Sequence, residues 1–222
     1  MPAGRAGAGL EERVFELTGY GHTFQGVSMT IPEVSRPALR PSLWRTCRVL
    51  ANRVRLRLLW ELVRRPGQTV GEVAIRLHVS GPVASKYLRE LNARGLLEAH
   101  RVGGSVYYRP HADPSVADAK PLLAALAATF RSQAKPVDFI FRQVTGFTHA
   151  RRLSVVAILG AGPVGFADLS ERSQIPWRAL SRHVKKLTDR GVIRCVRGRY
   201  RMAKPECLLA ATLLKLAQAP GR

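Results

Sequence analysis

The feature that most restricts how this chain can fold is a match of the sequence to itself without gaps. Moving on by 96 positions carries Ser85 to Ser181, Lys86 to Arg182, Leu88 to Val184, Leu91 to Leu187, Arg94 to Arg190 and Gly95 to Gly191. A chain with this internal agreement is expected to build one supersecondary unit twice. The first copy can be read from its chemistry. Ser80 suits an N-cap and Pro82 the first helical turn, where a missing N–H costs nothing. Ala84, Tyr87, Leu88 and Leu91 recur at helical spacing, so they are expected to face a core and to leave Val83, Ser85, Lys86, Arg89 and Glu90 outside. Gly95 supplies a left-handed stop. Residues 96–101 and 106–109 then flank Gly103-Gly104, a pattern of two short strands and a turn. Helix, tight turn, helix and hairpin together make a winged helix-turn-helix.

On these residues a family resemblance can be stated. Residues 79–91, followed by Gly95-Leu96-Leu97, resemble the recognition helix of the ArsR-type winged-helix repressors, which are prokaryotic DNA-binding dimers. Residues 180–187 with Gly191-Val192-Ile193 are similar to the same motif. The likeness covers about residues 45–134 and, more loosely, 147–218. It implies recognition helices that read DNA and a helix after the wing that serves in dimerisation. One departure matters: the metal sensors of that family carry a cysteine pair in the helix before the recognition helix, and residues 70–77 contain no cysteine. Metal sensing is therefore not implied.

Charge sharpens the expectation about partners. The formal net charge is +21, and its placement matters more than its size. Residues 45–110 hold 13 Lys/Arg against four acids and residues 149–204 hold 13 against three, while residues 1–44 balance four against four. Charge confined to the two repeats fits a polyanion, because each phosphate contact releases counterions. With 222 residues and 46% hydrophobic content the chain can bury two small cores. It has no long uncharged apolar run and no signal-like start, so a soluble cytoplasmic protein without a membrane span is expected. Cys47, Cys195 and Cys207 form no close pair and read as free thiols, and the six His lack metal-ligand spacing. No cofactor and no metal are expected.

The fold class expected is mostly α with small β-wings: two winged helix-turn-helix domains in tandem, linked and tailed by apolar helices. The divisions are an extension over 1–44, either disordered or a short hairpin from 14–18 and 27–31; winged helix 1 over 45–110; a linker over 111–148; winged helix 2 over 149–204; and a C-terminal helix over 205–222. Within the first unit, Ser42 begins a helix that either runs to about Arg65 or breaks near Asn52. Thr69 caps the next, over 70–78, with Val73, Ala74 and Leu77 toward the core. The linker helix 121–131 and the tail helix 206–216 are apolar nearly all round and need burial, either over their own cores or against a partner. In the second unit Leu153, Val156, Ala157 and Leu159 mark the first helix, 167–173 the second and 177–190 the recognition helix. A shorter wing follows, with its tip at Arg197-Gly198-Arg199 and Tyr200 in the returning strand.

One motif competes. Gly160, Gly162 and Gly165 have the spacing of a dinucleotide-binding turn after an apolar run. A crossover helix would have to pass through Gln174-Ile175-Pro176, and no apolar second strand follows. The same segment aligns without gaps to residues 59–69, as a helix. No catalytic constellation is visible, and the chain does not read as an enzyme. The function expected is a sequence-specific regulator that binds double-stranded DNA. The alternatives are a tandem winged-helix chromosome-organising or protein-interaction factor and, behind it, a nucleotide-dependent enzyme through 160–165. Base-reading candidates are Ser80, Gly81, Val83, Ser85 and Lys86 in the first unit and Trp177, Arg178, Ser181 and Arg182 in the second, with Trp177 also readable as a core anchor. Phosphate candidates are Arg101, Arg109, Lys185, Lys186, Arg197 and Arg199. Self-association through helices 121–131 and 206–216 is a further possible contact, and the two copies in one chain suggest a monomer that acts as its own dimer.

Overall fold

A computed structural model describes residues 42–219; the hairpin expected within 1–44 lies outside them. The described chain is mostly helical with two small antiparallel sheets. The helix expected from Ser42 breaks at Asn52. Its first part, α1, is Leu43–Leu50 and its second, α2, is Arg53–Arg64. The break has a local cause: the Asn52 side chain accepts a hydrogen bond from the Arg55 amide at 3.0 Å, which starts a new helix rather than continuing the old one.

Gln68–Thr69 then forms a two-residue strand, β1, and Val70–Leu77 forms α3. Thr69 and Glu72 exchange side-chain bonds with each other's backbone amides, a capping box that fixes where α3 begins. His78 ends α3 in the left-handed region at φ 53°, turning the chain into α4, Gly81–Asn92. Ser80 stands at the N-cap of α4 with extended backbone angles, but its side chain makes no cap bond. Ala84, Leu88 and Leu91 are buried, Tyr87 is half-buried and Val83 and Lys86 are outside. Gly95, at φ 69°, lets the Leu96 amide return to the Leu91 carbonyl and closes the helix. A wing follows, β2 Leu97–Val102 and β3 Ser105–Pro110. β1, which the sequence did not announce, pairs with β3, giving the sheet order β1-β3-β2.

The linker contains two helices. α5, Ala119–Ser132, extends beyond the stretch expected, and α6, Pro136–Val144, was not anticipated as a helix at all. A 3-10 turn, Thr145–Phe147, leads on. The order helix, strand, helix, helix, strand, strand then occurs again: α7 Ala150–Gly160, β4 Val164–Gly165, α8 Phe166–Ser173, α9 Trp177–Asp189, β5 Ile193–Val196 and β6 Arg199–Met202. Its sheet order is β4-β6-β5. The offset of 96 survives at single residues. Gln174, facing His78 in that alignment, is also left-handed at φ 54°, and Gly191, facing Gly95, has φ 71°. Leu153, Val156, Ala157 and Leu159, which mark this helix in the sequence, all lie in α7; Val156 and Leu159 are buried there with Val155, Leu153 is half-buried and Ala157 is exposed. The apolar run before Gly160 lies inside α7, so the strand that a dinucleotide-binding turn requires is not formed.

The tail helix α10, Leu208–Gln218, starts two residues later than expected, behind Cys207. It packs against α5, α6 and α7, so the two apolar helices cover one another inside a single chain. Leu122, Leu126, Leu209 and Leu213 are fully buried. Trp60 of α2 stacks with Phe130 of α5 at 6.3 Å between ring centroids. Among the described residues, no helix is long and apolar enough to cross a membrane.

Candidate nucleic-acid interface

The helix expected from the sequence to be the second recognition helix, α9, divides cleanly. Leu180, Val184 and Leu187 are buried, whereas Trp177, Arg178, Ser181, Arg182 and Lys185 are exposed. The separation follows from the helical repeat, which puts residues three and four apart on one face. Asp189 is the first acid along α9, and it holds Lys185 at 3.4 Å. Lys186 is half-buried. Ser181 Oγ donates to the Arg178 carbonyl at 2.9 Å, so in this state its hydroxyl is turned to its own helix. Trp177 is not in the core: it is 59% exposed and rests edge-on against Phe166, with centroids 4.3 Å apart. It is a braced surface aromatic at the first position of the helix.

In α4 the corresponding candidates Ser80, Gly81, Val83 and Lys86 are exposed, and Ser85 is half-buried. Other charges of this unit are already engaged. Arg55 of α2 pairs with Glu90 of α4 and lies 5.0 Å over the Tyr87 ring. Burial, first, lowers the pKa of Arg55, and the neighbouring Tyr87 opposes that. Arg76 and Arg65 both approach the buried Glu61, at 3.1 and 3.7 Å.

The two wings differ in the same way. In the first, Glu98 accepts from Arg109 Nε at 2.8 Å and Nη2 at 2.7 Å, and His100 Nε2 lies 3.3 Å away. The hydrogen bond from Arg109 is the main cause that holds the Glu98 carboxyl below its usual range. Arg109 is therefore partly spent on its own strand, while Arg101 is exposed and makes no ion pair among the described residues. In the second wing Arg197 and Gly198 form the tip with φ 51° and 74°, which suits a two-residue hairpin turn. Arg197 points out, and Arg199 is exposed with Nη2 donating to the Pro163 carbonyl at 3.1 Å.

Two further residues belong here that the sequence reading passed over. Arg194 of β5 and Arg201 of β6 are directly opposite in the ladder, and neither has an acidic partner among the described residues. Like charges across a strand pair are destabilising. Their signal was in the sequence: Arg194, Arg197, Arg199 and Arg201 fall within eight consecutive residues that contain no acid.

Against known families, residues 52–105 match the MarR family, and the match runs from the N-cap of α2 to the first residue of β3. It indicates a winged helix-turn-helix regulator family, whose members are typically not enzymes. The segment covers α2, β1, α3, α4 and β2, the first strand of the wing. No curated protein matches the chain.

Proposed function

We propose that this protein is a transcriptional regulator that binds specific double-stranded DNA with two winged helices carried in one chain, one within 45–110 and the other within 149–204. The observation that carries the reading is the face made by α9 and the second wing. Arg178, Arg182, Arg194, Arg197 and Arg199 are exposed there, and Asp189 is engaged with Lys185. An unneutralised cationic surface around an exposed helix N-terminus is what a phosphate backbone on either side of a major groove requires.

In this reading Trp177, Arg178, Ser181 and Arg182 meet base edges from the N-terminal half of α9, and Ser80, Gly81, Val83, Ser85 and Lys86 do so from α4. Arg101, Lys185, Lys186, Arg197 and Arg199 hold phosphates, with Arg109 the weakest contributor because Glu98 already occupies it. The ArsR-type likeness of the recognition helices and the MarR match of 52–105 agree on this chemistry. The repeated element order, the shared left-handed residues and the packing of α10 on α5 support a duplicated unit that acts as its own dimer. Selection of bound sequences from random duplex DNA tests the proposal: an enriched motif is expected, and recovery of unselected sequence would overturn it.

A further inference from the structure

The aligned positions Leu56 in α2 and Arg152 in α7 occupy the same place in the first helix of each half, and both are buried. Leu56 is 0% exposed and Arg152 only 9%. A guanidinium where the sister unit keeps a leucine is costly unless its charge is answered. Arg152 Nη2 donates to Thr148 Oγ1 at 2.5 Å, a neutral partner, and its Nε is buried with no partner among the described residues. Arg190, at the end of α9, likewise has a buried Nε without a partner.

Several side chains around Arg152 add charge of the same sign. His149, the N-cap of α7, accepts the Arg151 amide on Nδ1 at 3.1 Å, so its neutral ring carries the proton on Nε2. Its ring lies 4.7 Å from that of His183 in α9. Arg48 comes from α1, which packs against the 3-10 turn just before His149. Burial and then the Arg152, Arg151 and Arg48 charges hold His149 below its ordinary range; burial, His149, Arg152 and Arg151 do the same to His183. Cys47 lies within electrostatic reach of Arg152; its thiol is pushed far up by burial and then by the buried Asp118 carboxylate, so it stays neutral, and Asp118 is the acid on that side of the cluster.

We propose that the joint between α1, the N-terminus of α7 and α9, bounded by Arg48, His149, Arg151, Arg152, His183 and Arg190, binds a phosphate group. A tetrahedral dianion answers several cationic donors at once, and the dipole of α7 favours negative charge near its start. The group is either a free inorganic or small-molecule phosphate or a backbone phosphate of bound DNA. Only the second source rests on the proposed function. Because the site joins the first unit's α1 to the second unit's recognition helix, its occupation ties the two halves together.

The test follows the imidazole resonances of His149 and His183 in the full-length protein at constant ionic strength. Inorganic phosphate is added to one sample and a mixed-sequence duplex to another. Arg48 and Arg151 are exposed, so Arg48→Gln/Arg151→Gln is expected to fold. Saturable shifts with inorganic phosphate, with both imidazoles becoming easier to protonate and the double variant weakened by about tenfold or more, establish a free-phosphate site whether or not the protein binds DNA. Shifts with the duplex alone, lost in the double variant, assign the phosphate to the DNA backbone. No saturable shift from either probe, or an unchanged response in the double variant, would overturn the site.

Discussion

Neutralising the tip of the second wing should separate a DNA contact from a merely solvated surface. Arg197 and Arg199 are both exposed; Arg199 gives one N–H to the Pro163 carbonyl at 3.1 Å and Arg197 has no ion pair among the described residues. Neither substitution removes a buried contact, so Arg197→Gln/Arg199→Gln should melt like the parent. Each phosphate contact contributes about 0.9 to the slope of log K against log salt, so losing two flattens it by up to about 1.8. Over a roughly fourfold rise in salt, the parent's affinity should fall about tenfold further than the variant's. Fluorescence anisotropy on a mixed-sequence duplex at several salt concentrations reads this directly. Lys215→Gln, exposed on α10 beside the Met202 end of β6 and not at the wing tip, is the control. An unchanged slope in the double variant, or an equal loss in the control, would refute the assignment.

Four further outcomes are expected. Arg182→Ala should lose about 1–3 kcal/mol on a selected site and relax one base position, whereas an equal loss on every sequence measured by competition binding would make it a phosphate contact. Leu213→Ala, at a fully buried position of α10, should cost about 2–5 kcal/mol in chemical denaturation; a cost near zero would mean that α10 does not close the core. Gly191→Ala meets open space and should cost about 1–2 kcal/mol from its left-handed backbone alone, while Gly95→Ala should cost more, because the added carbon would lie 3.0 Å from Val116; the reverse ranking in thermal melts would contradict the packing. Finally, His149 and His183 are depressed in the fold, by burial first, and next by neighbouring Arg charge at His149 and by His149 and then Arg charge at His183. The unfolded chain therefore takes up protons first as pH falls below about 6.5, and stability should decline through that window. His149→Asn/His183→Asn should flatten the decline in denaturation measured from neutral to mildly acidic pH, and an undiminished decline would locate it elsewhere.

The parts of the fold that were legible in advance are those with short-range causes. The cap at Thr69, the stops at Gly95 and Gly191 and the buried rows Ala84-Leu88-Leu91 and Leu180-Val184-Leu187 all follow from local periodicity and turn chemistry. Asn52 was ambiguous because an apolar pattern crosses it; only its side-chain bond to the Arg55 amide decides for a break. β1 and β4 are two residues each and exist because a wing strand pairs with them, which no local pattern can announce. α6 escaped notice because Pro136 reads as an interruption, whereas at a first helical position it is compatible with the helix. At the interface, exposure of the helix faces is legible, but the pairing of Arg109 with Glu98 across β2 and β3 depends on strand register, and Trp177 is a surface residue rather than an anchor. Arg152 is the clearest case of what periodicity misses: it sits in register with the leucines of a core helix and is buried there despite its charge.

The most direct test of a single chain that reads DNA with two unlike recognition helices is sedimentation of the free protein and of its complex on a selected duplex, combined with footprinting. Ser80-Gly81-Pro82-Val83 and Pro176-Trp177-Arg178-Ala179 differ at the reading positions, so each helix should prefer its own half-site. The account predicts one chain per duplex, protecting two dissimilar half-sites about one helical turn, or 34–36 Å, apart. Two chains on a palindromic footprint would contradict it.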